Sequence, residues 1–205
     1  MIHCLPNCPD AAELNVLRSM FEARKRVFID LLRWDLPVVG GRFEIDEFDL
    51  EPATYVVLSD EDGKHRASAR LLPTTGPHIL AALYSELCDE DIPRGPTTME
   101  ITRFCLGRGS GAAQRRRDRD ALIHALVTFA LRTGIERFTG VADPAWMRQI
   151  LSFGWRCRPL GAPRVMGTRA LAAITIEIDE DTPVLLERCG LTAPAACREA
   201  YDAFC

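Results

Sequence analysis

Arg24 interrupts an apolar helical stripe. Leu14, Leu17, Phe21, Phe28 and Leu31 recur at helical spacing, and at about 100° per residue Leu17, Phe21, Arg24, Phe28 and Leu31 share one face. A guanidinium on a core face cannot shed its charge, so it needs carboxylate partners or an anionic ligand. Three acids follow within six residues, Glu44, Asp46 and Asp49, interleaved with Phe43, Ile45 and Phe48. Asp46 and Asp49 are three apart, which on a helical turn or tight loop places both carboxylates on one side. Arg70, Glu100 and Arg103 are likewise flanked by apolar residues. Charges threaded through hydrophobic segments imply one buried polar pocket, and a purely structural ion-pair lattice is the competing reading.

Other residues carry further possibilities. Trp34 follows the first helix, where it can stack on a flat or cationic ligand or plug the helix end. On an ideal strand Glu100, Thr102 and Phe104 share one face and Arg103 points to the other. For Glu100 and Arg103 to serve one site, the strand must carry a bulge; otherwise Arg103 binds on the opposite face. The loop Arg108-Gly109-Ser110-Gly111-Ala112-Ala113 offers backbone amides that can cradle phosphates, and its form resembles the pyrophosphate loop of coenzyme A-dependent acetyltransferases. Arg115, Arg116, Arg117 and Arg119 form a basic block near a helix start, where cations oppose the macrodipole; Arg148, Arg156 and Arg158 extend the candidate patch.

The elements that must position these residues are legible in outline. A helix is expected over 11–32, then an irregular acidic segment after Pro37, Gly40 and Gly41. Strands over 54–58 and 67–72 flank the turn Ser59-Asp60-Glu61-Asp62-Gly63, a hairpin pattern. A short apolar stretch, 79–87, precedes a strand over 98–106. A helix over 119–132, ended by Gly134, leads to a strand over 138–142, a helix over 144–153 with proline at its start, a strand over 171–178 and a helical tail over 183–204. Strands alternating with helices predict an α/β or α+β layered fold in one domain spanning 1–205.

Composition narrows the function. The 205 residues suffice for one core around a pocket. A net charge of −4 argues against nucleic acid as main partner, and no apolar run approaches membrane-spanning length. Residues 1–6 lack a basic leader before an apolar block, so no secretion signal and a cytosolic location are expected. The eight cysteines contain no Cys-x-x-Cys pair and the four histidines no ligand spacing, His3 beside Cys4 and Cys8 being the one exception to weigh; reduced cysteines and no metal are expected.

Taken together, Arg24, Phe28, Trp34, Asp46, Asp49, Arg70, Glu100 and Arg103 stand in an order and spacing that closely resembles the N-acyl-homoserine lactone synthases, the autoinducer synthases of bacterial quorum sensing. The resemblance runs over roughly residues 15–160, through Arg24-Lys25-Arg26-Val27-Phe28, Glu44-Ile45-Asp46-Glu47-Phe48-Asp49, Arg70-Leu71-Leu72-Pro73-Thr74-Thr75 and Glu100-Ile101-Thr102-Arg103-Phe104. It implies an acetyltransferase-like three-layer α/β/α sandwich with a mixed central sheet. It implies two substrates, S-adenosylmethionine and an acyl thioester on acyl carrier protein or coenzyme A, with no separate cofactor. Glu100, Arg103 and Arg24 are the implied catalytic residues. Phe28, Trp34, Asp46, Asp49, Arg70 and Phe104 would join Arg24 and Arg103 in building the S-adenosylmethionine pocket. Tyr84, Leu126, Thr139, Val141 and Met147 are expected along the acyl chain, Tyr84 departing from the phenylalanine usual near that position in relatives. The basic block Arg115, Arg116, Arg117 and Arg119, with Arg148, would dock the acidic carrier. Two rivals stand beside this: an N-acyltransferase using acyl-coenzyme A on another amine, and a small-molecule-binding regulatory domain without turnover.

Overall fold

The computed structural model describes residues 1–6, 13–50, 52–108, 111–195 and 197. Along the chain it holds β1 (Ile2–Pro6), α1 (Glu13–Arg24), β2 (Val38–Val39), β3 (Phe43–Glu44), β4 (Thr54–Ser59) and β5 (His65–Pro73). Then follow α2 (Ile79–Leu83), β6 (Thr98–Leu106), α3 (Ala112–Thr133), β7 (Arg137–Ala142) and α4 (Pro144–Leu151). The described chain closes with β8 (Arg156–Pro159), β9 (Arg164–Met166), β10 (Arg169–Glu177) and α5 (Thr182–Arg188). The central sheet is mixed and flanked by helices, as expected: β6 pairs parallel with β7, whereas β4 with β5 and β7 with β10 are antiparallel.

The chain forms two compact units, 1–71 with 103–123, and 72–102 with 124–205. In the first, β4 pairs with β1 on one side and β5 on the other. Both β4 and β5 are buried along nearly their whole length instead of alternately, so both faces of the sheet are covered here. Their connection is the expected hairpin, Gly63 taking φ +76° in its turn and Asp60 N–H donating to the Lys64 carbonyl at 3.0 Å. Helix α1 packs on β3 and β4 through Val16, Leu17, Met20, Ala23 and Arg24.

That buried face differs from the expected stripe. Leu14 and Leu31 are 47% and 45% exposed, and Phe21 is half-buried. For Leu31 the cause is a switch from α1 into a π-helical segment, Lys25–Leu31. Its wider turn advances each residue by less than the α-helical angle, keeping Phe28 inside and swinging Leu31 out.

In the second unit β10 lies between β7 and β8, with β9 paired to its N-terminal end. Leu80, Leu87, Leu160 and Ala173 form a buried cluster on which Tyr84, Cys88, Ile92, Val141, Met166 and Leu171 pack. Helix α4 opens as its sequence dictates: the Asp143 carboxylate accepts from the Ala145 and Trp146 N–H groups at 2.8 and 3.0 Å, with Pro144 at the first position.

Several boundaries move. Strand β6 spans the expected residues, but α3 begins at Ala112, seven residues before its expected start, because the arginine block belongs to the helix. The stretch 79–87 resolves into α2 and a 3₁₀ turn, Ser85–Leu87. Strands β1, β8 and β9 were not expected from the sequence. Residues 11 and 12 of the expected opening helix, and 196 and 198–204 of the expected helical tail, lie outside the described residues. So do Gly109 and Ser110 of the glycine loop, Cys8 and Cys205. The other six cysteines are thiols.

Candidate functional site

Four separate stretches of chain converge on one buried charge lattice within the first unit. Helix α1 ends on Arg24, β3 supplies Glu44, the following turn Asp46 and Asp49, β5 Arg70, and β6 Arg103. The turn forms because Asp49 N–H donates to the Asp46 carbonyl at 3.0 Å while the Asp49 carboxylate accepts the Asp46 N–H at 2.9 Å. Asp46 in turn accepts from Phe48 N–H. The three-residue spacing thus places both carboxylates on one side, as the sequence requires.

Arg24 forks onto Asp49 through Nη1 and Nη2, both at 2.7 Å, and donates Nε to Glu44 at 2.5 Å. Arg70 donates Nη1 to Asp46 at 2.5 Å, and the same nitrogen lies 2.8 Å from Asp49. Arg103 spans Glu44, at 3.1 Å from Nε, and Asp46, at 2.6 Å from Nη2. Three guanidiniums against three carboxylates balance in charge, which is how so many ionised groups stay below a tenth exposed. Arg103, with 9% of its side chain exposed against 1% or less for Arg24 and Arg70, is the least covered of the three arginines.

Burial alone would raise the Asp49 carboxyl, but hydrogen bonds and charge from Arg24, then Arg70, hold it well below the usual carboxylate range. Oxygens of Glu44, Asp46 and Asp49 lie within 4.8 Å of one another, close enough to share a cation. Guanidinium donors already occupy them, so a metal would have to displace arginine.

Aromatic faces cover the arginines. The Arg24 guanidinium sits over Phe21 at 5.0 Å, Arg70 over Phe48 at 5.9 Å and Arg103 over Phe28 at 5.8 Å. Trp34 stacks on Phe28, with centroids 4.9 Å apart and planes 22° from parallel. The helix end enforces this. Arg33 turns left-handed at φ +58°, and Trp34 N–H donates back to the Phe28 carbonyl at 2.9 Å, which folds the indole over the ring. Phe28 therefore contacts both Trp34 and Arg103.

Arg103 also leaves the extended conformation, at φ +50° in the middle of β6. A non-glycine residue there costs on the order of 1–3 kcal/mol, offset by its two ion pairs. The strand is thus irregular at Arg103, the position at which the sequence leaves open a bulge or an opposite-face role. Phe104, next in line, is half-buried.

Glu100 belongs to the second unit, fully buried. Its carboxylate accepts the Ile79 and Leu80 N–H groups at 2.7 and 2.8 Å, anchoring the start of α2. Of the acyl-chain candidates, Tyr84 and Val141 share the cluster around Leu80, Leu87, Leu160 and Ala173. Met147 lines a cavity of about 470 Å³ with Leu160, Arg158 and Pro159. Thr139 is buried beside Glu100 in the β6–β7 register, and its hydroxyl has no partner among the described residues. Leu126 is buried in α3, outside that cluster.

Of the basic block, Arg115, Arg116 and Arg117 are exposed on α3, Arg117 held by Gln114. Arg119 is half-buried and bound to Asp120 at 2.6 Å. Arg148 is exposed on α4. Sequence reasoning missed three members of the lattice's surroundings: Glu44 as the bridge between two arginines, Phe21 beneath Arg24, and Tyr55, whose hydroxyl donates to Asp49 at 2.9 Å.

The chain as a whole is similar to known proteins. A family model described as autoinducer synthase matches residues 10–184. An acyl-homoserine-lactone synthase from Ralstonia nicotianae is 33% identical over 87% of this chain and 86% of its own. Another from Rhizobium etli is 39% identical over 71% of this chain and 70% of its own. Among solved structures, BjaI, a CoA-dependent acyl-homoserine lactone synthase with SAM and isopentyl-CoA, superposes with a TM-score of 0.81 at 25% identity, covering 100% of this chain and 99% of that one. With the motif residues gathered into one lattice and the family model covering most of its length, the chain belongs to the autoinducer synthases.

Proposed function

We propose that the chain acylates the α-amine of S-adenosylmethionine from an acyl thioester and closes the product to an N-acyl-L-homoserine lactone. The observation that carries this reading is the arginine–carboxylate lattice roofed by Phe28 and Trp34, in a chain of this family. The amine must first lose a proton; a free α-amino group has a pKa of about 8, so a positioned base need not be strong. Glu100, flanked by Met99 and Ile101, takes that role through a water. The amine nitrogen then bonds to the thioester carbonyl carbon and the thiolate leaves. Next the methionine carboxylate oxygen attacks its own γ-carbon, the bond from that carbon to the sulfonium breaks, and methylthioadenosine departs. Holding the methionyl chain folded makes this ring closure a proximity effect. Arg103, the least covered of the three arginines, suits the carboxylate or the carbonyl oxygen.

Tyr84, Leu126, Thr139, Val141 and Met147 would follow the acyl chain in the second unit. The donor is read as an acyl carrier protein, because exposed Arg115 and Arg116 offer positive charge to an acidic partner. An acyl-coenzyme A donor is favoured instead by the coenzyme A-dependent relative above. One catalytic domain in the cytoplasm is the setting this reading assumes; among the described residues no helix is long and apolar enough to cross a membrane.

Mass spectrometry of solvent extracts from cells expressing the chain tests the reaction. The homoserine-lactone fragment ion is expected, together with methylthioadenosine from purified protein. Purified protein that binds S-adenosylmethionine yet releases no methylthioadenosine from any acyl donor would reduce it to a binding domain. Charge reversal at Arg115, Arg116 and Arg117 should raise the KM for a carrier-protein donor about tenfold and leave the S-adenosylmethionine KM unchanged. A coenzyme A donor that outperforms the carrier, with no effect of the reversal, would assign the block to plain solvation.

A further inference from the structure

The Asp49 carboxylate is heavily used in the lattice, and two of its donors, the Tyr55 hydroxyl and the Asp46 N–H, carry no charge. Its Oδ1 receives Arg24 Nη1, lies 2.8 Å from Arg70 Nη1, and accepts the Tyr55 hydroxyl at 2.9 Å. Its Oδ2 receives Arg24 Nη2 and the Asp46 N–H. Tyr55 stands on β4, fully buried, its ring edge-on to Phe21 at 5.7 Å and 79°. Phe21 in turn carries the Arg24 guanidinium on its face. The tyrosine thus grips both Asp49 and, through Phe21, Arg24. Burial, and then the Asp49 charge beside it, push the phenol well above its usual range, so it stays a donor at working pH.

We infer that Tyr55 is a positioning residue for S-adenosylmethionine: its hydroxyl secures the rotation of Asp49, and with it the ladder Asp49–Arg70–Asp46–Arg103 that ends at the least covered arginine. The inference rests on the reading of the lattice as the S-adenosylmethionine pocket. The physical reason is geometric. The Arg24 fork sets the plane of the Asp49 carboxylate, while the charge attraction of Arg70 depends mainly on distance. A neutral donor fixed by a packed ring holds the carboxylate in that one rotamer. If Asp49 turns, Arg70 and the Asp46 N–H lose their acceptor, and Arg103 loses its aim through Asp46. Nothing in this chain of contacts reaches the acyl thioester, so the two substrates should respond differently.

The test is steady-state kinetics of Tyr55→Phe, with each substrate varied separately. The expected result is a rise of about tenfold in the S-adenosylmethionine KM, the scale of one lost hydrogen bond to a charged group, with the acyl-donor KM within twofold. Equal drift of both KM values, tracking a fall in Tm, would mean that the hydroxyl only stabilises the fold and would overturn the inference; unchanged KM values would overturn it too. Should Tyr55→Phe misfold, 4-aminophenylalanine at position 55 keeps the ring and offers a neutral N–H donor to Asp49 in place of the hydroxyl. Its S-adenosylmethionine KM should stay within twofold of the native value; a tenfold rise in a folded protein overturns the inference. If the unmodified chain makes no lactone at all, it is the underlying functional reading that fails.

Discussion

Replacing Arg24 with methionine should cost about 3–5 kcal/mol of stability, the scale of breaking a buried ion pair from one side. That is a large part of the roughly 5–15 kcal/mol that holds a typical domain together, so the variant should be soluble only in part and inactive. Methionine matches the length of the aliphatic stem, so the loss reports charge and not a void. The two Asp49 bonds at 2.7 Å and the Glu44 bond at 2.5 Å all vanish, and two carboxylates, each fully covered, lose their nearest counter-charge.

The pH dependence gives this prediction a sign. In the native chain Asp49 is depressed, so it contributes stability that is complete above the usual carboxylate pKa and is lost as pH falls below it. Without Arg24, burial dominates and pushes the carboxyl upward, so mild acid neutralises it and relieves the strain. The stability gap between native chain and variant should therefore narrow between neutrality and about pH 5. Urea unfolding at a series of pH values measures it. A constant gap, or an unchanged Tm with full turnover, would refute the account of Arg24 as the lattice's central counter-charge.

How much of this was open to the sequence depends on what each residue signals locally. Arg24, Arg70 and Arg103 were legible because a charge at an apolar position of a helix or strand is itself anomalous. Asp46 and Asp49 were legible through their spacing. Tyr55 was not: in Thr54-Tyr55-Val56-Val57-Leu58 an aromatic residue on a buried strand is unremarkable, and only the tertiary fold shows its hydroxyl on Asp49. Glu44 was visible as one acid of three, but its bridging of two arginines depends on β3, a two-residue strand too short to read. The π-helical segment escaped because Lys25–Leu31 contains no breaker, and the exchange of i,i+4 for i,i+5 bonds leaves composition unchanged. The start of α3 was hidden by Arg115, Arg116 and Arg117, since cations at a helix N-terminus read as a reason for the helix to begin later. Glu100 was recognised as functional, yet its two backbone donors come from α2, twenty residues upstream, and no local pattern announces them.

Those donors sharpen what Glu100→Gln should do. As a base, Glu100 accounts for about 10²- to 10⁴-fold in rate. As the anchor of α2, it satisfies two amide groups that would otherwise be buried and unpaired. Glutamine keeps one oxygen but turns an NH₂ toward the second N–H, a donor against a donor, at a cost of about 1–3 kcal/mol. Both roles thus predict a damaged enzyme, and the rate at one pH does not separate them. The amine's own titration does. A free α-amino group with a pKa near about 8 is increasingly deprotonated as pH rises, and a substrate that has already lost its proton needs no base. If Glu100 acts by removing that proton, the deficit in kcat/KM of Glu100→Gln should shrink by about tenfold between pH 7 and pH 9. The S-adenosylmethionine KM should stay within twofold of the native value throughout. If the loss comes from displacement of α2 alone, the deficit stays constant over that range, and Glu100 is then an anchor and not the base.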